Sequence, residues 1–235
     1  MLRFAAVEVG AGEALGCVRC SPRGAPAYYP LDDIIDRIAA ASGAWERLPG
    51  PNVVLCGPEP FAHPELPALV AGCAERGVER ICIETDGGAL AVGGNAEGAL
   101  LGGVRHLRVR MLGAGQRATD ELSGRPGLSQ KAKAGVRAFL DTADARGMTV
   151  AVTGVIPVCR HNLDVLPESV GALAEWGVHA ARLVSSGPLP ESAAAHLAAA
   201  CDTGMLNRIW VETDGTLPLA ASHLLHAVCE AGGDG

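Results

Sequence analysis

Short runs of aliphatic and β-branched residues alternate along the chain with longer segments in which apolar residues recur at helical spacing. The short runs predict six strands, at residues 4–9, 52–56, 80–84, 106–110, 149–155 and 180–184. The longer segments predict helices at residues 31–41, 65–76, 131–146 and 166–176. Gly77, Gly147 and Gly177 follow three of these helices, where a helix end favours a residue that tolerates positive φ. The pattern therefore predicts a repeated βα unit.

Repeated βα units with right-handed crossovers build a parallel sheet, either open or closed into a barrel. Six units in about 185 residues are too few for an eight-stranded barrel. We therefore predict an α/β protein with a partial (β/α)6 barrel of parallel strands over residues 1–188. A short C-terminal extension over residues 189–235 is expected to form a helix, a strand and a helix, at residues 191–201, 208–212 and 219–230. The Gly-rich stretch 87–103 is expected to be a flexible connection.

Composition narrows the range of functions. A net charge of −7 with only two lysines argues against nucleic-acid binding, which draws on clustered basic residues. No signal peptide and no apolar run of membrane-spanning length is apparent, so we expect a cytoplasmic protein that does not enter a membrane. In that compartment the eight cysteines are expected to be thiols or metal ligands rather than disulfides. Four lie singly in apolar segments and are expected to be small buried side chains: Cys73, Cys82, Cys201 and Cys229.

The first candidate for chemistry is a pair of cysteines after the first predicted strand. Ligand sites of parallel α/β folds lie at the carboxyl ends of the strands. Cys17 and Cys20 stand there at Cys-x-x-Cys spacing, and Glu13 lies four residues before Cys17. They are compatible with an iron–sulfur site, with half of a zinc site or with two reduced thiols. No second such pair in the sequence completes a zinc site, and the cysteines do not open a helix as in thioredoxin-like proteins.

Two further segments place polar groups at strand ends. The second predicted strand is followed by a turn whose glycine and prolines fix the backbone: Gly57, Pro58, Glu59 and Pro60. The carboxylate of Glu59, presented at the strand end, can bind an ammonium group. Thr85 and Asp86 follow the third strand and offer a hydroxyl and a carboxylate to a polar ligand. His63 is expected to cap the following helix rather than to react.

Together these motifs resemble the radical S-adenosylmethionine (radical SAM) superfamily, over residues 4–188. Members of that family have a partial six-stranded βα barrel, a Cys-x3-Cys-x2-Cys loop after the first strand and a Gly-Gly-Glu-Pro-like motif after the second. Residues 57–60 resemble the latter motif, with Pro58 in place of the second glycine, and residues 85–87 resemble the Thr-Asn-Gly that often ends the third strand. Residues 106–110 and 155–162 resemble the fourth strand and the fifth strand with its exit loop.

The resemblance implies two cofactors. It assigns contacts with S-adenosylmethionine to Gly57, Pro58, Glu59, Pro60, Thr85, Asp86, Arg110 and Asn162. It assigns a 4Fe-4S iron–sulfur cluster to Cys17 and Cys20, with Glu13 at the position of the family's first cysteine. A carboxylate is a harder donor than a thiolate, so the cluster is expected to be held weakly. Cys56, at the end of the neighbouring strand, is a conceivable substitute ligand.

Two functions follow from the resemblance. The first is a radical SAM enzyme of a biosynthetic or peptide-modification pathway, which abstracts hydrogen from a small molecule or peptide. The second is a cluster-deficient pseudoenzyme that binds a substrate or a homologous protein partner. An ordinary cluster-free enzyme is a third possibility, but no nucleophile and base can be assigned. The extension has Leu219 and Ala220 where an auxiliary-cluster cysteine would follow, so no auxiliary cluster is expected.

Overall fold

The computed structural model describes residues 5–12, 15, 17, 19, 25–43, 52–113, 115–214 and 217. The strands defined in these ranges are β1 (Ala5–Glu8), β2 (Gly10–Ala11), β3 (Ala27–Tyr28), β4 (Asn52–Cys56), β5 (Arg80–Thr85), β6 (Val104–Arg110), β7 (Ala151–Val158), β8 (Ala180–Ser185) and β9 (Trp210–Thr213). The α-helices are α1 (Leu31–Gly43), α2 (Leu66–Glu75), α3 (Asn95–Leu101), α4 (Gly115–Ser123), α5 (Leu128–Ala145), α6 (Leu166–Glu175) and α7 (Ala193–Leu206). Short 3-10 helices cover Pro60–Ala62, Gly88–Ala91 and Leu163–Val165.

Seven of the strands belong to a parallel sheet covered by helices, which confirms the predicted α/β class and is consistent with a partial barrel. The remaining two, β2 and β3, form a separate antiparallel pair. The chain divides into two compact units, the first drawn from residues 1–15, 23–109 and 130–151 and the second from residues 16–22, 110–129 and 152–235.

The first unit contains the strand order β1, β4, β5, β6. One face of these strands is apolar and fully buried, as at Leu55 and Ile83, which are register partners. Helix α5 packs very closely on the turn after β5, because a Cβ placed on Gly135 would lie 2.0 Å from the carbonyl oxygen of Gly87. Small residues at this contact therefore fix the position of the turn that follows β5.

The second unit contains the strand order β7, β8, β9. Helix α6 packs closely on β7, since a Cβ on Gly154 would lie 2.3 Å from Cδ1 of Leu173. The strand predicted for the C-terminal extension is β9, and it is a parallel neighbour of β8 within the sheet. The sheet therefore has one strand more than the six predicted for the barrel. The predicted last helix, at residues 219–230, lies outside the described residues.

The Gly-rich stretch 87–103 is not a plain connection, so that expectation was wrong. It contains a 3-10 helix, Gly88–Ala91, and helix α3. Helix α3 forms because Ala96, Ala99 and Leu100 are buried on one side of it, and Gly94 enters it with a φ of 86° that glycine tolerates. Burial of these three apolar side chains outweighs the low helix propensity of the surrounding glycines.

The isolated cysteines behave as expected where they are described. Cys73, Cys82 and Cys201 are buried, whereas Cys229 lies outside the described residues. Within the described ranges, no helix combines the length and the apolar character needed to cross a membrane.

Candidate functional site

The carboxylate of Glu59 lies at the end of β4 and is held by the end of β5. Its Oε1 accepts hydrogen bonds from Oγ1 of Thr85 at 2.7 Å and from the backbone N of Phe61 at 3.2 Å. Its Oε2 accepts a hydrogen bond of 2.8 Å from the backbone N of Asp86. Glu59 is only partly buried. Three donors therefore fix the orientation of the Glu59 carboxylate.

The turn around Glu59 depends on the residue types beside it. Gly57 has a φ of 102°, in the region that favours glycine, and a Cβ there would lie 3.2 Å from the carbonyl oxygen of Gly10. Pro58 and Pro60 are buried, and Pro60 opens the short 3-10 helix. The backbone of the turn therefore requires glycine at position 57, and the two prolines restrict it on either side of Glu59.

The turn after β5 presents its polar groups inward. Thr85 is fully buried, and its Oγ1 accepts a hydrogen bond of 3.0 Å from the N of Gly87 while donating to Glu59. Asp86 is buried, and its Oδ1 accepts a hydrogen bond of 2.8 Å from the N of Gly88. Glu59, Thr85 and Asp86 were each predicted as ligand contacts, and the fold does bring them together.

Electrostatics raise the pKa of Glu59 to about 7. Burial is the largest cause and the negative charge of Asp86 the second, while the hydrogen bonds from Thr85, Asp86 and Phe61 oppose them. The pKa of Tyr28 is also raised, by burial and then by the charges of Glu59 and Asp86. Two carboxyl groups therefore stand close together in a site that would gain from a positively charged ligand.

A polar row on one sheet face of the first unit was missed by the sequence predictions. Glu84 is the register partner of Arg108, and Glu8 is the register partner of Cys56. Glu84, Arg108 and Cys56 are half-buried, and Glu8 is exposed. A parallel strand that is covered by helices on both faces of the sheet is apolar on both faces. Strand β6 instead has charged residues at alternate positions, and this pattern could have indicated a sheet face that is not covered.

Arg110 and Asn162 belong to the second unit. Arg110 is half-buried at the end of β6. Asn162 is buried, with 1% of its surface exposed. Its Nδ2 donates hydrogen bonds to the carbonyl oxygens of Leu112 and Pro157, at 2.9 and 2.8 Å. Its Oδ1 accepts a hydrogen bond of 2.9 Å from the N of Cys159. The Asn162 side chain thus joins the exit loop of β7 to the segment after β6.

The predicted metal ligands are described only in part. Cys17 is 7% exposed and is a free thiol, while Cys20 and Glu13 lie outside the described residues. Cys56, the conceivable substitute, is half-buried. Among the residues that the structure describes, no group of three or more His, Cys, Asp or Glu side chains is arranged to hold a metal ion. The cluster assignment stays a prediction.

The fold and site define an α/β protein with a carboxylate turn at the carboxyl end of a parallel sheet. No protein-family model matches the sequence, and no curated protein matches it. Solved structures do share the fold. SuiB from Streptococcus suis, bound to precursor peptide SuiA, is similar with a TM-score of 0.64 and 14% identity, over 92% of this chain and 50% of SuiB. The chain therefore spans about half the length of SuiB.

Two other solved structures show the same likeness. Methylornithine synthase (PylB) has a TM-score of 0.58 and 13% identity, over 95% of this chain and 68% of that protein. Native anSMEcpe with bound AdoMet has a TM-score of 0.57 and 11% identity, over 90% of this chain and 64% of that protein. These neighbours are radical SAM enzymes. At such low identity the likeness shows a shared fold and leaves the activity open.

Proposed function

We propose that the chain is a radical SAM-like protein that binds S-adenosylmethionine at Glu59 and acts on a small molecule or a peptide in a biosynthetic or peptide-modification pathway. The observation that carries the proposal is the Glu59 carboxylate, held by Thr85, Asp86 and Phe61 at the ends of two neighbouring parallel strands. Neighbours with the same fold support it, since SuiB has been solved with S-adenosylmethionine and with a precursor peptide.

The described residues fit the amino group of S-adenosylmethionine. An ammonium group is attracted by an ionised Glu59, and the charge of Asp86 adds to that attraction. The hydrogen bonds from Thr85 and from the N of Asp86 hold the carboxylate in place before a ligand arrives, which lowers the ordering cost of binding. When bound, S-adenosylmethionine supplies a sulfonium group whose carbon–sulfur bond is cleaved by addition of one electron.

Cys17, Cys20 and Glu13 would hold the cluster that supplies this electron. Their donor set is two soft thiolates and one hard carboxylate, which binds iron less firmly than three thiolates. We therefore expect a labile cluster. The half-buried Glu84 and Arg108 would contact a polar substrate on the accessible sheet face.

Glu13 also favours a second candidate function. If the carboxylate retains no iron, the same fold serves as a pseudoenzyme that binds a substrate or a homologous protein partner through the Glu59 turn. The two functions differ in cluster content and agree in the binding of S-adenosylmethionine.

Calorimetry with S-adenosylmethionine tests the shared part of the proposal. Glu59→Ala should weaken binding at least tenfold, because a charge-assisted contact contributes about 1.5–3 kcal/mol. Glu65→Ala is a matched control, because Glu65 is an exposed carboxylate a few residues further along the same segment. Equal affinities of the wild type and Glu59→Ala, or no binding by the wild type with or without a reconstituted cluster, would refute the proposal.

Anaerobic reconstitution with iron and sulfide separates the two candidates. Iron counting and low-temperature electron paramagnetic resonance should detect a cluster in the wild type, and more of it in Glu13→Cys. A folded wild type without iron supports the pseudoenzyme. Cluster occupancy that does not rise in Glu13→Cys shows that Glu13 is not at the position of the missing ligand.

A further inference from the structure

Two very short strands close the loop that bears Cys17. Strands β2 and β3 pair antiparallel, Gly10 with Tyr28 and Ala11 with Ala27, and the residues between them include Glu13, Cys17 and Cys20. An antiparallel pair of two residues per strand is marginal without further contacts. Its position therefore depends on what it packs against.

The pair packs against the turn that bears Glu59. A Cβ on Gly10 would lie 2.3 Å from the carbonyl oxygen of Ala27 and 3.0 Å from Cγ of Pro58, so only glycine allows this contact. The hydroxyl of Tyr28 donates a hydrogen bond of 3.0 Å to the backbone oxygen of Glu59. These contacts link the strand that leaves the loop directly to the backbone of the carboxylate turn.

His63 makes the second link. The backbone N of Glu65 donates to Nδ1 of His63 at 3.0 Å, so the ring proton is on Nε2, which donates to the backbone oxygen of Tyr29 at 3.1 Å. The His63 ring is 4% exposed and packs edge-on against Tyr28, with ring centroids 5.4 Å apart. The prediction that His63 caps the next helix was wrong, because the N-cap of that helix is Glu65 and no side chain caps it. Instead, one ring nitrogen of His63 accepts from the N of Glu65, and the other binds the residue that follows β3.

We propose that Tyr28 and His63 are positioning residues that clamp strands β2 and β3, the base of the Cys17 loop, to the Glu59 turn. The clamp acts through two hydrogen bonds and a ring contact, without touching the ligand. Its use in binding S-adenosylmethionine rests on the proposed function, whereas its effect on the loop does not.

The test measures the reactivity of Cys17 in cluster-free protein prepared with a chelator under anaerobic conditions. Alkylation by iodoacetamide is followed for each cysteine by mass spectrometry, with the buried Cys201 as an internal reference. Tyr28→Phe should accelerate alkylation of Cys17 about fivefold, the effect of losing one net hydrogen bond. His63→Leu should accelerate it further, and His63→Gln, whose amide can still donate to Tyr29, should restore much of the protection. Tyr29→Phe, which changes the neighbouring ring and leaves its backbone oxygen in place, should stay within twofold of the wild type.

The proposal is overturned if Cys17 reacts within twofold of the wild-type rate in both Tyr28→Phe and His63→Leu, or if Cys201 accelerates as much as Cys17. If His63→Leu does not fold by circular dichroism, Tyr28→Phe decides, because it keeps the half-buried aromatic ring at position 28. Calorimetry on the same variants should show weaker binding of S-adenosylmethionine in the order of their Cys17 rates. A wild type that binds no S-adenosylmethionine refutes the proposed function, while the Cys17 rates still decide whether the clamp holds the loop.

Discussion

Oγ1 of Thr85 donates a hydrogen bond of 2.7 Å to Oε1 of Glu59. The Thr85 hydroxyl oxygen also accepts a hydrogen bond from the N of Gly87. The hydroxyl thus connects the carboxylate at the end of β4 with the turn at the end of β5. Because Thr85 is fully buried, we expect no water to take the place of its hydroxyl in a variant that lacks it.

Thr85→Val should lower the free energy of unfolding by about 1–3 kcal/mol, because the substitution leaves the N of Gly87 buried without its acceptor. It should also raise the pKa of Glu59 above about 7, since the hydrogen bond from Thr85 lowers it. Urea denaturation measures the first effect and the pH dependence of ligand binding the second. Thr85→Ser keeps the hydroxyl and is the control; a Thr85→Val protein as stable as Thr85→Ser would contradict the role assigned to the hydroxyl.

Binding of S-adenosylmethionine should depend on pH through Glu59. The carboxyl group has a pKa of about 7 in the free protein, and an ammonium ligand binds its ionised form. Ionisation of Glu59 should therefore raise the affinity about eightfold between pH 6 and pH 7.5, and the affinity should fall above about pH 8, where an α-amino group loses its proton. Calorimetry across this range checks the profile. An affinity that does not change between pH 6 and pH 7.5 would show that Glu59 is not the group that binds the ammonium.

The proximity of Glu59, Thr85 and Asp86 could be predicted from the sequence. Strands β4 and β5 have unambiguous apolar runs, and the carboxyl ends of neighbouring parallel strands meet at one edge, so Glu59, Thr85 and Asp86 were expected together. The contacts of Tyr28 and His63 were not foreseen, because two-residue strands carry no hydrophobic period. Strand β9 was expected outside the barrel, since four residues contain no information about which neighbour they pair with.

Asn162 shows a different limit of sequence reasoning. Its likeness to a family position predicts a contact with the cofactor, and the structure adds three hydrogen bonds of its amide to backbone groups of the second unit. A motif identifies a residue type at a strand end and does not reveal the direction of the side chain. The structure adds a role in holding the backbone of the loop, which a substitution can separate from ligand binding.

Asn162→Leu should lower the free energy of unfolding by about 3 kcal/mol or more, because three buried backbone groups lose their partners at once. Asn207→Ala provides the comparison, because Asn207 is exposed and its Nδ2 donates to the backbone oxygen of Thr203. This substitution should lower the free energy of unfolding by less than about 1 kcal/mol. Chemical denaturation measures both. If Asn162→Leu were as stable as the wild type and bound S-adenosylmethionine more weakly, the side chain would be a ligand contact rather than a structural one.

Two glycine-to-alanine substitutions should have opposite effects on stability. At Gly135 in α5 a Cβ would lie 2.0 Å from the backbone oxygen of Gly87, and the overlap should cost about 1–3 kcal/mol after the gain in helix propensity. At the exposed Gly98 in α3 a Cβ meets nothing within 4 Å, so alanine should stabilise the protein by about 0.5–1 kcal/mol. Because Gly87 follows Thr85 and Asp86, Gly135→Ala should also displace the donors of Glu59 and weaken binding of S-adenosylmethionine, whereas Gly98→Ala should not. Urea denaturation compares the stabilities of the two variants, and calorimetry compares their affinities for S-adenosylmethionine. A Gly135→Ala protein with wild-type stability and affinity would show that the β5 turn does not depend on its close contact with α5.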